Sequence, residues 1–122
     1  MLRVMIVDDQ GGMRQMLRKI LEYEGGFDVV CEASNGQEAL ELVEKQPLDM
    51  ILMDGQMPQM NGFEATKQIL ACHPEIGIAN TSMNKDSQDA RLAKEVGAIA
   101  FIPKPTLKGE TLIELMACRM AS

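Results

Sequence analysis

The chain has 122 residues, of which 46% are hydrophobic and 25% charged, the size and balance of one ordinary soluble domain with a real core. Residues 1–61 carry 5 basic and 11 acidic side chains, a net charge of −6, whereas residues 62–122 carry 7 of each. A protein of this sign has no general attraction for nucleic acid or anionic lipid, and no apolar run is long enough to span a membrane.

The cysteines and the N-terminus indicate a cytoplasmic protein. Three widely spaced cysteines, Cys31, Cys72 and Cys118, fit neither a disulfide framework nor a zinc site, so reduced thiols are expected. The first residues lead into a short apolar run that ends in acids, which is not a secretory signal.

Five short apolar segments predict five strands. They are Arg3–Val7, Asp28–Glu32, Asp49–Met53, Ile76–Asn80 and Ile99–Ile102. Several are almost wholly apolar rather than alternating, which indicates strands buried on both faces, as in a parallel sheet.

The segments that follow these strands have the spacing and end signals of helices. Apolar residues recur every three or four positions from Met13 to Leu21, and similar stripes follow the later strands. Asn35 before Gly36 predicts a helix start, and Gly25 predicts a helix end. The pattern is therefore β-α five times over, which predicts one α/β domain over residues 1–122, a three-layer sandwich with a five-stranded parallel sheet and five helices.

Polar residues stand where the predicted strands end. Asp8 and Asp9 follow the first strand, Asp54 the third, Thr81 and Ser82 the fourth, and Lys104 the fifth. Ligands of open parallel sheets bind at this edge. Three carboxylates together repel one another, and Mg²⁺, which prefers oxygen ligands, would relieve that repulsion. With one lysine added, such a site is suited to a phosphoryl group, and a carboxylate can be the nucleophile.

Four motifs in order carry a resemblance to a known family. They are Val4–Asp9, Asp49–Asp54, Met57–Gly62, and the segment from Gly97 to Pro105. At these spacings the whole chain resembles the receiver domain of two-component response regulators, in particular the chemotaxis receiver. The resemblance implies a flavodoxin-like fold with strand order 2-1-3-4-5.

The resemblance also implies roles for individual residues. Asp54 corresponds to the phosphoacceptor, and Asp8, Asp9, Asp54 and the backbone carbonyl of Gln56 to the Mg²⁺ ligands. Lys104, with an expected cis bond to Pro105, would pair with the phosphoryl oxygens. Ser82 would be the switch hydroxyl, with Thr81 as the alternative, and Phe101 the switch aromatic, although a plain core role for Phe101 is equally compatible with the sequence.

By the same resemblance, a sensor histidine kinase or phosphotransfer protein would supply the phosphoryl group. The hydroxyl and the aromatic would then reshape the face formed by helix 4, strand 5 and helix 5, which would signal to an output domain or partner protein and could form a dimer. The chain would be a phosphoacceptor and not an enzyme that turns over an external substrate. Two departures from the family pattern stand out: polar residues weaken strand 4, and Met83 replaces a small residue and could restrict access to Asp54.

Three other functions compete with this interpretation. A receiver-like interaction domain that acts independently of phosphorylation would keep the fold, but the intact acidic set argues against it. An aspartyl-phosphate phosphatase would need a second aspartate two residues after the nucleophile, where this chain has Gln10. A flavodoxin-like electron carrier would need a phosphate-binding loop after strand 1, and two aspartates would repel that phosphate.

Overall fold

A computed structural model of the chain describes residues 1–57, 60–83, 87–103 and 114. Strands and helices alternate along it. In chain order they are β1 (Leu2–Val7), α1 (Gly11–Glu24), β2 (Phe27–Ala33), α2 (Gly36–Val43), β3 (Met50–Asp54), α3 (Gly62–Cys72), β4 (Gly77–Ser82), α4 (Ser87–Glu95) and β5 (Ala100–Pro103). The fifth helix predicted after β5 lies outside the described residues, apart from Glu114, whose backbone is helical.

The five strands form one parallel sheet in the order β2-β1-β3-β4-β5, which confirms the predicted α/β fold and strand order. Side chains that alternate along the central strands form a separate core on each face of the sheet. Ile51 and Ile78 pack with residues of α2 and α3 on one face, whereas Leu52 and Ala79 pack with residues of α1 on the other. The fully buried central strands explain the near-continuous apolar runs in the sequence.

Local signals define the helix ends as predicted. The Asn35 side chain accepts a hydrogen bond from the Glu38 amide at 2.8 Å and caps α2. Helix α1 ends before Gly25, which has a φ of 77°, a conformation that glycine adopts without steric cost. Among the described residues, no helix combines the length and apolarity needed to cross a lipid bilayer.

Two central strands extend further than the sequence predicts. Asp54 is the last residue of β3 and not the first residue after it, and Thr81 and Ser82 complete β4. The ladder continues because Asp54 pairs with Thr81 and Ser82 pairs with Pro103. The buried Asn80 is tolerated within β4 because its amide donates to Thr66 Oγ1 of α3 at 3.0 Å.

An ion pair joins the C-terminal ends of α2 and α3. The imidazole Nε2 of His73, which follows α3, lies 2.7 Å from Oε1 of Glu44, which follows α2. The carboxylate of Glu75 lies 3.6 Å from the other ring nitrogen. The hydrogen bond to Glu44 raises the pKa of His73 above its ordinary value, and the charges of both glutamates act in the same direction.

This pair predicts a pH dependence of stability. Because the folded-state pKa of His73 lies above the ordinary value of 6.5, its contribution is complete below that pH and is lost as the pH rises through the folded-state value. We expect the free energy of unfolding in urea to decline over this window in the wild type and to change less in His73→Gln. Profiles that run parallel in the two proteins would contradict the prediction.

Candidate functional site

Three aspartates converge at the carboxyl ends of β1 and β3. Asp8 is fully buried, Asp54 is 3% exposed, and Asp9 is exposed. One carboxylate oxygen from each lies within 4.8 Å of the others. The fold therefore brings together the three acids that the sequence places at strand ends, two inside the protein and one at its surface.

The backbone after each strand fixes a carboxylate of the cluster. The Gln10 amide donates to Asp8 Oδ1 at 2.9 Å, and the Gln56 amide donates to Asp54 Oδ1 at 3.2 Å. In both turns an aspartate accepts from the amide two residues further on, the local geometry that favours Asp at the start of a turn. The two carboxylates are thus oriented before any ligand arrives.

Longer-range bonds fix the two loops that follow β1 and β3. Arg14 of α1 donates to the backbone carbonyl of Asp8 at 2.7 Å and contacts the Glu32 carboxylate of β2 at 3.1 Å. On the other loop, the Gly55 amide donates to the Thr81 carbonyl at 2.8 Å, and the Gly62 amide donates to the Gly55 carbonyl at 3.1 Å. The site is therefore anchored to β2, β4 and the first residue of α3.

A shallow pocket of about 180 Å³ opens over the acids. Asp9, Gln10, Asp54, Gln56 and Met83 line it. Met83 is 60% exposed, so its thioether side chain stands at the rim, where the sequence suggested that it could restrict access to Asp54. The pocket has room for a small charged group but not for a nucleotide-sized ligand.

The predicted hydroxyls of β4 point to opposite faces of the sheet. Ile78 belongs to the core on the α2–α3 face and Ala79 to the core on the α1 face, so alternation places Ser82 on the α2–α3 face and Thr81 on the α1 face. Ser82 Oγ contacts α4, which packs on that side. Both hydroxyl residues are buried.

The other predicted site residues lie apart from the acids or outside the described residues. Phe101 is half-buried and lines a cavity of about 280 Å³ between α4 and β5, together with Ala90 and Lys94. Lys104 and its bond to Pro105 lie outside the residues that the structure describes.

Sequence reasoning missed Asp89. This aspartate in the first turn of α4 is 8% exposed, and its Oδ2 accepts hydrogen bonds from Ser82 Oγ at 3.1 Å and from the Gln56 side-chain amide at 3.0 Å. An acid near a helix start is normally taken as a favourable surface charge, so the sequence offered no signal of burial.

The donor set at the acidic cluster fits a hard divalent cation. All three groups are carboxylates, and the partly open pocket leaves space for water or a phosphoryl oxygen as further ligands. Mg²⁺ is commonly held in this way, by one or two carboxylates plus waters and phosphate. A soft metal would require thiolate or imidazole, and neither contributes to this cluster.

Fold and site together define a flavodoxin-like α/β protein with an acidic, cation-type site at the carboxyl edge of its sheet. The chain belongs to the response regulator receiver domain family, whose model matches residues 4–117. Receiver domains typically bind Mg²⁺ at an acidic pocket, and they pair with histidine kinases and output domains.

Similar proteins come from several organisms. The chain is 42% identical over 106 residues to a protein-glutamate methylesterase/protein-glutamine glutaminase of Methanococcus maripaludis, covering 86% of the chain but 29% of that protein. It is 34% identical to the transcriptional regulatory protein DegU of Brevibacillus brevis, covering 93% of the chain and 48% of that protein. The chain therefore spans less than half the length of these relatives.

Solved structures show the same architecture. The response regulator domain of Thermotoga maritima CheB superposes with a TM-score of 0.84 at 30% identity, covering 99% of this chain and 97% of that one. The receiver domain of the putative response regulator NarL from Mycobacterium tuberculosis gives 0.87 at 26% identity, with 99% and 98% covered.

Proposed function

We propose that the chain accepts a phosphoryl group on Asp54 from a phosphohistidine of a sensor kinase or phosphotransfer protein, or from a small acyl phosphate. The convergence of the Asp8, Asp9 and Asp54 carboxylates within 4.8 Å, in a pocket open to solvent, carries this proposal. Asp54 is held by the Gln56 amide with its carboxylate lining that pocket, as a nucleophile requires.

Asp8, Asp9 and Asp54, with the carbonyl of Gln56, are the groups that would hold Mg²⁺. The bound cation would neutralise the carboxylates and the charge on the transferring phosphoryl oxygens. Asp8 and Asp54, buried and fixed by backbone amides, provide the rigid part of the ligand set, and the exposed Asp9 provides the part that adjusts.

In the transfer step an Asp54 carboxylate oxygen attacks phosphorus and forms an O–P bond. The P–N bond of phosphohistidine, or the P–O bond of an acyl phosphate, breaks, and its electron pair stays on the leaving imidazole or carboxylate. The imidazole then takes a proton from solvent. The new acyl phosphate carries a charge of about −1.5 to −2 in place of the single negative charge of the carboxylate, and it presents three acceptor oxygens beside the end of β4.

We propose that Ser82 and Phe101 then carry the signal. The Ser82 hydroxyl lies on the face of the sheet that contacts α4, which favours it over Thr81. Donation from Ser82 to the phosphoryl group would draw the end of β4 inward and allow Phe101 to move within the cavity between α4 and β5. Lys104 completes the proposal as the counter-charge of the phosphoryl group.

The partners proposed are a histidine kinase or phosphotransfer protein upstream and an output domain or partner protein downstream. The relatives named a protein-glutamate methylesterase and a transcriptional regulatory protein are longer than this chain, and they support control of a separate output. We place the domain, residues 1–122, in the cytoplasm, with dimerisation through helix 4, strand 5 and helix 5 as one route of signalling.

Intact-mass measurement with acetyl phosphate and Mg²⁺ tests the proposal. We expect one added phosphoryl group on the wild type, none on Asp54→Asn, and none on the wild type in excess chelator. Asp28→Asn, which removes an exposed carboxylate from β2, is the matched control and should be labelled like the wild type. Equal labelling of Asp54→Asn would assign the phosphoryl group to another residue, and no labelling of the wild type would support an interaction domain that works without phosphorylation.

A further inference from the structure

A buried carboxylate outside the acidic cluster connects three elements of the site. Oδ2 of Asp89 in α4 accepts from the Ser82 hydroxyl at the end of β4 and from the Gln56 side chain in the loop after β3, at 3.1 and 3.0 Å. Asp89 is 8% exposed and Ser82 is buried, so the bond between them is shielded from water, whereas the bond from the exposed Gln56 is only partly buried. Its position in the first turn of α4 also places the carboxylate near the positive end of the helix dipole.

The Ser82 hydroxyl can donate to Asp89 or to a phosphoryl group on Asp54, but not to both at once. A carboxylate accepts and does not donate, so the Ser82 hydroxyl must direct its single hydrogen to Asp89. The same hydrogen cannot also serve a phosphoryl oxygen on Asp54. A hydrogen bond to a charged group is stronger than one between neutral groups, so its loss opposes any state in which the hydroxyl turns away.

We propose that Asp89 is a latch that holds the Ser82 hydroxyl on α4 and competes with the phosphoryl group of Asp54 for its hydrogen. This inference rests on the proposed function, because it takes Asp54 as the phosphoacceptor and Ser82 as the switch hydroxyl. The latch sets the balance between a state in which Ser82 donates to Asp89 and a state in which Ser82 donates to the phosphoryl group. While Ser82 donates to Asp89, hydrogen bonds connect the hydroxyl, Gln56 and the first turn of α4.

Release of the latch changes α4 directly. When the hydrogen of Ser82 moves to the phosphoryl group, Asp89 keeps the Gln56 amide and loses its bond to β4. The first turn of α4 is then held to the loop beside Asp54 and no longer to the end of the strand. Asp89 is thus a positioning residue, because it touches no reacting atom. The hydrogen bond between Ser82 and the phosphoryl group must first offset the loss of the bond to Asp89, so Asp89 determines how strongly the phosphoryl group holds Ser82.

The apparent affinity for beryllofluoride, BeF₃⁻, a mimic of the phosphoryl group, measures this competition. Titrations at saturating Mg²⁺ should show Asp89→Ala binding about tenfold more tightly than the wild type, the equivalent of one lost charge-assisted hydrogen bond in the unliganded state. Asp89→Asn, which keeps the shape but not the charge, should also bind more tightly. Glu95→Gln, the same loss of charge at an exposed position of α4, should bind like the wild type.

A double-mutant cycle separates a latch from a merely structural role. In a Ser82→Ala background the hydroxyl is gone, so Asp89→Ala should have no further effect on BeF₃⁻ affinity. The latch would be contradicted if Asp89→Ala raised the BeF₃⁻ affinity equally with and without the Ser82 hydroxyl. It would also be contradicted if folded Asp89→Ala and Asp89→Asn bound BeF₃⁻ no more tightly than the wild type. Neither result would contradict the proposed function. Failure of the wild type to bind BeF₃⁻ would overturn the proposed function and the latch with it.

Discussion

Alanine in place of Gly62 is expected to destabilise the folded chain by about 3 kcal/mol, the upper range for overpacking at a site that cannot relax. A Cβ at this position would overlap the backbone carbonyl of Asp54 and would lie 2.6 Å from its carbonyl carbon and 3.0 Å from the Gly55 Cα. These are backbone atoms, which cannot rotate away. Helix α3 is also held in place, because the Gly62 amide donates to the Gly55 carbonyl at 3.1 Å and buried Thr66 accepts a hydrogen bond from Asn80 of β4 at 3.0 Å.

The same clash predicts a functional loss. Any shift that admits the methyl group moves the last residue of β3, so the Asp54 carboxylate leaves its position beside Asp8 and Asp9. We therefore expect Gly62→Ala to be labelled by acetyl phosphate much more slowly than the wild type at a temperature where it remains folded. Intact-mass time courses measure this rate.

Gly12→Ala is the matched control. Gly12 lies in the first turn of α1, and a Cβ there has no atom within 4 Å. Alanine should be neutral or stabilising there by about 0.5 kcal/mol, because it restricts the unfolded chain. Urea unfolding of the two variants and the wild type measures both expected changes in the free energy of unfolding, the loss in Gly62→Ala and the absence of loss in Gly12→Ala. A Gly62→Ala protein as stable as Gly12→Ala would show that the contact with Asp54 does not constrain the loop.

Asparagine in place of Asp8 is expected to have opposite effects on the metal-free and metal-bound protein. Without a cation, removing one of three negative charges whose oxygens lie within 4.8 Å should stabilise the fold by at least about 1 kcal/mol, because such charges repel by about this much in bulk water and by more around a buried group such as Asp8. The Asn carbonyl can still accept from the Gln10 amide, so the turn is preserved. With millimolar Mg²⁺, however, the stabilisation that ligand binding gives the wild type should be largely lost.

Thermal unfolding with and without Mg²⁺ measures both effects of Asp8→Asn. The variant should have the higher Tm in chelator and a smaller Mg²⁺-induced rise. Glu41→Gln, the same charge change at an exposed position of α2, should keep the wild-type rise. A Mg²⁺ response of Asp8→Asn equal to that of the wild type would show that the cation does not bind at this cluster.

The fold was accessible from the sequence because the signals that define it are local. Apolar runs identified all five strands, and Asn35 and Gly25 marked helix ends by chemistry confined to one turn. The strand order was not accessible in this way: it came from the family resemblance, since periodicity says nothing about which strands are neighbours. The acids at strand ends were predictable because a parallel sheet brings such ends to one edge.

The sequence-based predictions fail where a residue that is distant in the chain determines the local structure. Asn80 and Ser82 look like residues that follow or end a strand, yet β4 includes both, because Thr66 accepts a hydrogen bond from Asn80 and Asp89 accepts one from Ser82. Asp89 itself was overlooked because its burial depends on Ser82 and Gln56 and not on its neighbours in the sequence. The crowding at Gly62 likewise comes from a residue outside its own helix, the Asp54 carbonyl at the end of β3.

The most direct test of the central claim, that Asp54 receives the phosphoryl group, is chemical trapping of the product. Borohydride reduces an acyl phosphate to an alcohol, so protein treated with acetyl phosphate and Mg²⁺ and then reduced should contain homoserine at the acceptor position. Peptide mass spectrometry should find homoserine at position 54 and not at positions 8 or 9. Homoserine at either of those positions, or at none of the three in folded protein, would contradict the assignment of Asp54 as the phosphoacceptor.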